Sequence, residues 1–318
     1  MEAEPEQNQT SERRAEFERR LRELRQDLRN SSLPGLAATY LAIVGMLLST
    51  LWVRELWWFA LLWIPMGLLQ YRVVLSGHEA VHKTLCHPLA LNEFLGVVGQ
   101  ALVGVNFASY RVQHLEHHKS TSVETDPDGH IYGNIIRAPR GLRRWLTYTL
   151  GTLVELVVKI GQKGIASVGG RKEVSAESVA ASHRHSAYVV LTQLSLVGLC
   201  WSLTDLFFGY ALLWVGPLFT VAVFLNRSRI LVEHGLPLLR GVPPCRRGIP
   251  TVDVVVPWWQ AAIFSPFSFN YHCCHHLYMT VPHHNLPQLR QLLRDFAVPD
   301  YYEEESSYFA CIRKAMRA

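Results

Sequence analysis

None of the six cysteines, Cys86, Cys200, Cys245, Cys273, Cys274 and Cys311, stands in a Cys-x-x-Cys pair. Cys273 and Cys274 are adjacent, and bridging neighbours is strained, so no disulfide framework is expected and the cysteine-bearing loops are expected to face a reducing side. A dinucleotide fingerprint is missing, as are a haem-attachment motif and a cysteine run for an iron–sulfur cluster. Residues 1–30 have no apolar core ahead of a cleavage site, so a signal peptide is not expected. Charge is also scarce. Only 18% of the 318 residues are charged while 49% are hydrophobic, more apolar than a typical soluble domain. The formal net charge of +5 is carried mainly by arginines beside apolar runs, a distribution that suits membrane headgroups and excludes a nucleic-acid partner in the absence of any recognisable motif.

The apolar residues are gathered into long runs. A spanning helix needs about 20 mostly apolar residues, and four stretches approach this: Leu36–Val53, Leu56–Leu75, Ala187–Leu203 and Leu206–Leu225. Arg54 and Glu55 alone separate the first two, and Thr204 and Asp205 the second two, which predicts two tight helical hairpins with their turns on one side. Arginines crowd residues 13–29, the region between the hairpins and the end of the fourth run, whereas the far side carries only Arg54. The positive-inside rule then places both termini and the middle region in the cytosol. Phe94–Ser109 and Trp145–Val158 are too short to span comfortably and are expected to be re-entrant or interfacial. Phe17, Leu21, Leu24 and Leu28 recur at helical spacing among Glu and Arg. They predict an amphipathic arm over residues 1–32 that lies on the membrane, on a partner or on its own domain. A membrane domain over 33–295 and a cytosolic tail over 296–318 complete the expected organisation.

Fifteen histidines are present, and eight fall into three clusters: His78 and His82; His114, His117 and His118; His272, His275 and His276. Positions i, i+3 and i+4 share a helix face, so each cluster can aim its imidazoles at one point. On the expected topology all three lie on the cytosolic side. Phe94–Ser109 must therefore return to the side it left, or the first two clusters would be divided by the bilayer. Eight convergent imidazoles exceed the needs of one metal and imply at least two ions. The ligand type alone leaves iron, zinc, copper and nickel open. The sequence thus predicts an all-α integral membrane protein, four transmembrane helices in two hairpins, with a cytosolic helical cap holding a di-metal site.

These boxes resemble those of the membrane fatty-acid desaturase and hydroxylase family. The likeness continues through His-His-Leu-Tyr-Met-Thr-Val-Pro-His-His-Asn-Leu-Pro from His275, and through Arg-Ile-Leu-Val-Glu-His-Gly from Arg229. It covers roughly residues 36–293. Met279 departs from it, standing where the family often has Pro. The resemblance implies a non-haem di-iron centre, two Fe ions with O2 as co-substrate, and His234 as a ninth ligand. It also implies an asparagine that holds a ligand water in some members, for which Asn226 and Asn270 are candidates. Glu79, Glu116, Asp126 and Glu233 are near enough to the boxes to orient imidazoles. His283 and His284 are expected to be structural, and His87, His130, His183 and His185 to lie at the surface.

An unactivated alkyl C–H bond yields to neither acid–base nor nucleophilic chemistry and requires metal or flavin oxidation. The resemblance implies a lipid or acyl-thioester substrate in an apolar tunnel. Trp57, Trp58, Trp63, Trp258, Trp259 and Phe264 are candidates for its wall or for an interfacial belt. Two electrons per turnover must come from a separate donor, a ferredoxin or a b-type cytochrome with its reductase, and an arginine-rich face suits an acidic one. The host is either a bacterial inner membrane or an ER-type membrane. Three other readings compete. The first is a hydroxylase or ketolase of the same family. The second is an intramembrane zinc protease using His-Glu-Ala-Val-His with Glu79 as base. The third is a metal transporter or sensor, whose site belongs near the bilayer midplane.

Overall fold

The computed structural model describes residues 4–27, 29–161, 176–243 and 248–318; Leu28 and Cys245 lie outside them. Four helices are long and apolar enough to cross a membrane: α2 (Ser32–Ser49), α3 (Leu56–Val81), Val179–Thr204 within α8 (Ala176–Thr204), and α9 (Ala211–Leu239). Their outer faces carry exposed Leu41, Leu61, Ile64, Leu191, Leu194 and Trp201. An apolar surface on this scale is stable when lipid covers it. The chain is a membrane protein. The two hairpin turns meet, because Arg54 in the first forms an ion pair with Asp205 in the second.

Two spans run past their apolar limits. Gln70 and Arg72 interrupt the second run, yet α3 continues to Val81 because both side chains point into protein. Gln70 donates to Trp214 O at 3.0 Å, and Arg72 lies over the Phe267 ring and donates to Thr39. Arg227 and Arg229 likewise fail to stop α9. Arg227 donates to Thr147 O at 2.9 Å, and Arg229 pairs with buried Glu233. Three turns of α9 are π-helical: Ala211–Val215, Leu218–Ala222 and Leu231–Gly235. Such turns recur at functional sites, and the last holds Glu233 and His234.

Between the hairpins, α4 (Leu89–Leu102) and α5 (Phe107–His117) form a pair bent by 101°. Gly104, at φ +75°, makes the turn, and the Asn106 side chain accepts from Ser109 N–H to cap α5. After α6 (Gly129–Arg137), α7 (Leu142–Gly161) carries the expected interfacial stretch, with Trp145 and Leu146 exposed and Tyr148 buried against Ser228. Beyond α9 come β1 (Asp253–Val255), α10 (Trp258–Phe264), α11 (His272–Leu277) and α12 (Leu286–Asp295). β2 (Glu303–Glu305) pairs in parallel with β1, Asp253 opposite Glu303, before α13 (Tyr308–Arg317).

Both chain ends fold back. The N-terminal helix α1 (Glu4–Gln26) packs on α12, with Leu21 buried beside Phe17 and Leu24 against Leu289 and Leu293. Of the three expected seats for the arm, its own domain takes the apolar face. Ser32 and Ser31 hydrogen-bond His283 and His284 at 2.6 and 2.8 Å, which gives that pair a structural role. The C-terminal α13 buries Tyr308, Cys311, Ile312 and Met316 in the main core. Among the described residues no cysteine forms a disulfide.

Candidate metal centre

All nine predicted imidazoles are buried and converge in two adjacent groups. His78, His82, His114, His118 and His275 form the first; His117, His234, His272 and His276 form the second, with the ligand atoms of each group within 4.8 Å of one another. The division follows helical geometry. In α5 the i, i+4 pair His114/His118 faces the first group and His117 the second. In α11 the arrangement is reversed: the pair His272/His276 faces the second and His275 the first. The second and third boxes therefore each serve both groups, whereas His78 and His82 both belong to the first. His82 sits at the end of α3 and His114 on α5, with their Nε2 atoms 2.8 Å apart, so the bent pair does return to the end from which it left.

The nitrogens meet as donors to a common cation would. His114 Nε2 is 3.1 Å from His118 Nε2, which is 3.1 Å from His275 Nε2; in the second group His234 and His272 meet at 2.9 Å. A neutral imidazole has one N–H and one lone pair, so the three Nε2 contacts that link His82, His114, His118 and His275 cannot all be hydrogen bonds at once. His78 Nε2 and both ring nitrogens of His276 are buried without any partner. Protonation is no remedy. Burial pushes His82 down to about 3 and holds His118, His272, His275 and His276 well below 6.5. Neutral imidazoles with inward lone pairs fit metal ions, and the residues present could hold two.

Carboxylates fix the outer nitrogens. Asp126 accepts from His117 Nδ1 at 2.8 Å and from the Tyr132 hydroxyl at 2.7 Å. Gly129 is required beside it, since a Cβ there would lie 2.1 Å from the Val123 carbonyl. Glu79 accepts from His78 Nδ1 at 3.1 Å and from Thr84 at 3.0 Å. Glu233 pairs with Arg229, whose guanidinium lies 4.0 Å from the Phe269 ring centroid, and its Oε2 is 3.5 Å from His272 Nδ1. Glu116, two residues from His114 and about 200° round the helix from it, pairs with Lys119 at 3.2 Å. Asn270 is buried but braces β1 by donating to Val254 O at 3.2 Å. Asn226 lines the cavity described next and accepts from Arg229 at 3.2 Å.

A cavity of about 490 Å³ opens onto His78, His114, His117, His234 and His272. Its apolar wall comes from α3 (Val74, Leu75), Val103, and α9 (Leu218, Phe219, Ala222, Val223). The six aromatics singled out from the sequence lie elsewhere. Trp57, Trp258 and Trp259 are exposed, Trp58 is half-buried, Trp63 donates to Thr220, and Phe264 stacks on Tyr308. Tyr110, Phe219 and Phe269 are the aromatics that line the cavity. Composition alone did not separate these from the others. Of the remaining histidines, His130 and His183 are exposed, His87 is half-buried against Asn30, and His185 accepts from Ala108 N–H.

The family model for fatty acid desaturases matches residues 55–309. The endoplasmic-reticulum omega-3 fatty acid desaturase of Vigna radiata var. radiata is similar at 23% identity over 274 residues, which span 79% of this chain and 69% of that protein.

Proposed function

The chain belongs to the fatty acid desaturase family, and on that premise we propose that it is a membrane-bound fatty-acyl desaturase working through a two-iron centre with O2. Family membership makes it an oxidoreductase acting on lipid in a membrane. The observation that carries the finer reading is the junction of two all-histidine groups with a largely apolar cavity. Iron bound there would supply the oxidising power that an unactivated C–H bond requires. His78, His82, His114, His118 and His275 would hold one ion, and His117, His234, His272 and His276 the other.

The protein's own part is placement and exclusion. Glu79 and Asp126 hold the Nδ1 protons of His78 and His117, which turns Nε2 inward. The valine and leucine wall aligns an acyl chain and keeps water from the reacting carbons. Two hydrogens leave adjacent carbons, two electrons and two protons arrive from outside, and O2 ends as two waters. The electrons come from a separate ferredoxin or b-type cytochrome that docks on the arginine-rich face. Both termini are assigned to the cytosol by the positive-inside rule, in a bacterial inner membrane or an ER-type membrane.

The zinc-protease alternative weakens on the same geometry, because Glu79 is engaged by His78 and Thr84 and three histidines from other boxes join His78 and His82. Metal analysis of detergent-purified protein, followed by lipid profiling of expressing cells, tests the reading. Two irons per chain and new double bonds are expected. Hydroxylated or keto lipids would move the assignment to a hydroxylase or ketolase, and a single zinc after anaerobic iron loading would overturn it.

A further inference from the structure

The C-terminal segment contains none of the nine imidazoles, yet it reaches the second histidine group from two directions. From α13, the Tyr308 hydroxyl donates to Glu233 Oε1 at 3.1 Å. Glu233 has no exposed surface, precedes His234 in sequence, and its other oxygen is 3.5 Å from His272 Nδ1. Tyr308 is itself held: its ring stacks on Phe264 at 4.8 Å, its hydroxyl lies 3.1 Å from Ser265 Oγ, and its N–H donates to Gln260 at 2.9 Å.

The second route runs through the β1–β2 pair. Asp253, fully buried, donates its N–H to Tyr302 O at 2.9 Å, and its Oδ1 accepts from Cys274 N–H at 3.0 Å. Cys274 lies in α11 between His272 and His275. A helix start leaves its first N–H groups without partners, and Tyr271, at the cap position of α11, offers no side-chain bond. Asp253 fills that role from another element. It also accepts from the Cys274 thiol at 2.9 Å, and the Tyr301 hydroxyl lies between Asp253 Oδ2 at 3.1 Å and Glu303 Oε2 at 2.8 Å. Tyr302 N–H further points to Cys273 Sγ at 3.4 Å.

We infer that the segment after α12 is an integral part of the metal centre, with Tyr308 on that segment and Asp253 on β1, which β2 holds, as positioning residues for the imidazoles of α11 and of the last π turn of α9. Tyr308 sets Glu233 beside His272 and His234. Asp253, pinned by β2, sets the start of the helix that carries three of the nine donors. Both hold buried groups whose alternative is an unmet hydrogen bond away from water. The inference rests on the two-iron reading above.

The test is the rate at which iron-loaded protein in detergent gives up iron to a chromophoric ferrous chelator, with thermal unfolding of the metal-free protein followed in parallel. Tyr308→Phe keeps the ring and removes the hydroxyl; Asp253→Asn keeps the shape and weakens the cap. Lys314→Ala, which removes a surface ion pair in the same segment, is the control. Release on the order of 10-fold faster is expected for the first two, with Lys314→Ala at the wild-type rate. Wild-type release in both, even with a lowered unfolding temperature, would show mere packing and overturn the inference. So would equal acceleration by Lys314→Ala. If Asp253→Asn does not fold, Tyr308→Phe carries the comparison. A wild-type chain that takes up no iron would instead overturn the two-iron reading itself.

Discussion

His82 Nε2 and His114 Nε2 lie 2.8 Å apart although 32 residues separate them. The contact exists because the bent pair α4–α5 brings α5 back to the end of α3. It joins the first histidine box to the second.

Loss of a single donor from either group should be enough to disable the centre. His82→Ala, from the first, and His234→Ala, from the second, are each expected to lower iron below two per chain and abolish turnover, while exposed His183→Ala keeps both. Full activity in His117→Ala would sink the two-iron assignment.

The metal-free protein should weaken in acid. Burial holds His82 at about 3 in the fold against an ordinary value of 6.5, and His272, His275 and His276 are lowered in the same sense. A depressed imidazole gives stability that is complete above 6.5 and is lost as pH falls toward the folded value, because the unfolded chain takes up the proton first. Unfolding temperature should fall as the pH is lowered from about 6.5 to 5. A rise on acidification would contradict neutral buried imidazoles.

Arg229 and Glu233 form a buried pair in the last part of α9. Arg229→Met leaves the carboxylate without its cation and should destabilise by about 3–5 kcal/mol. Arg229→Met combined with Glu233→Gln should recover much of that loss, as read from unfolding in detergent. An additive double variant would show that the two side chains act independently.

Ala222 contributes to the cavity wall from α9 and is buried. Ala222→Phe fills part of that space, at a packing cost of about 1–3 kcal/mol. A displacement of about 1 Å at the reacting carbon lowers turnover on the order of 100-fold. Product analysis should show that fall with iron content unchanged; unaltered products would place the acyl chain elsewhere.

Much of this was legible in the sequence because helical period and apolar length are local signals. The boxes, the hairpins and the returning segment all follow from spacing within a few residues of themselves. Two spans ran longer than hydropathy suggested because Arg72, Arg227 and Arg229 are engaged by protein contacts, a tertiary fact that no window reports. Glu116 stands next to the second box along the chain and pairs with Lys119. Asp253 and Tyr308 gave no signal at all. Each lies far in sequence from the carboxylate or helix it serves and belongs to no motif, and only the fold brings them to the site.

The exchange of donors between α5 and α11 has a thermodynamic consequence. Each helix contributes to both groups, so an ion seated in one group orders the backbone that presents the other. The entropy of aligning those imidazoles is largely spent on the first binding event and spared at the second. Metal uptake should therefore be positively cooperative, with singly loaded protein scarce at intermediate iron supply.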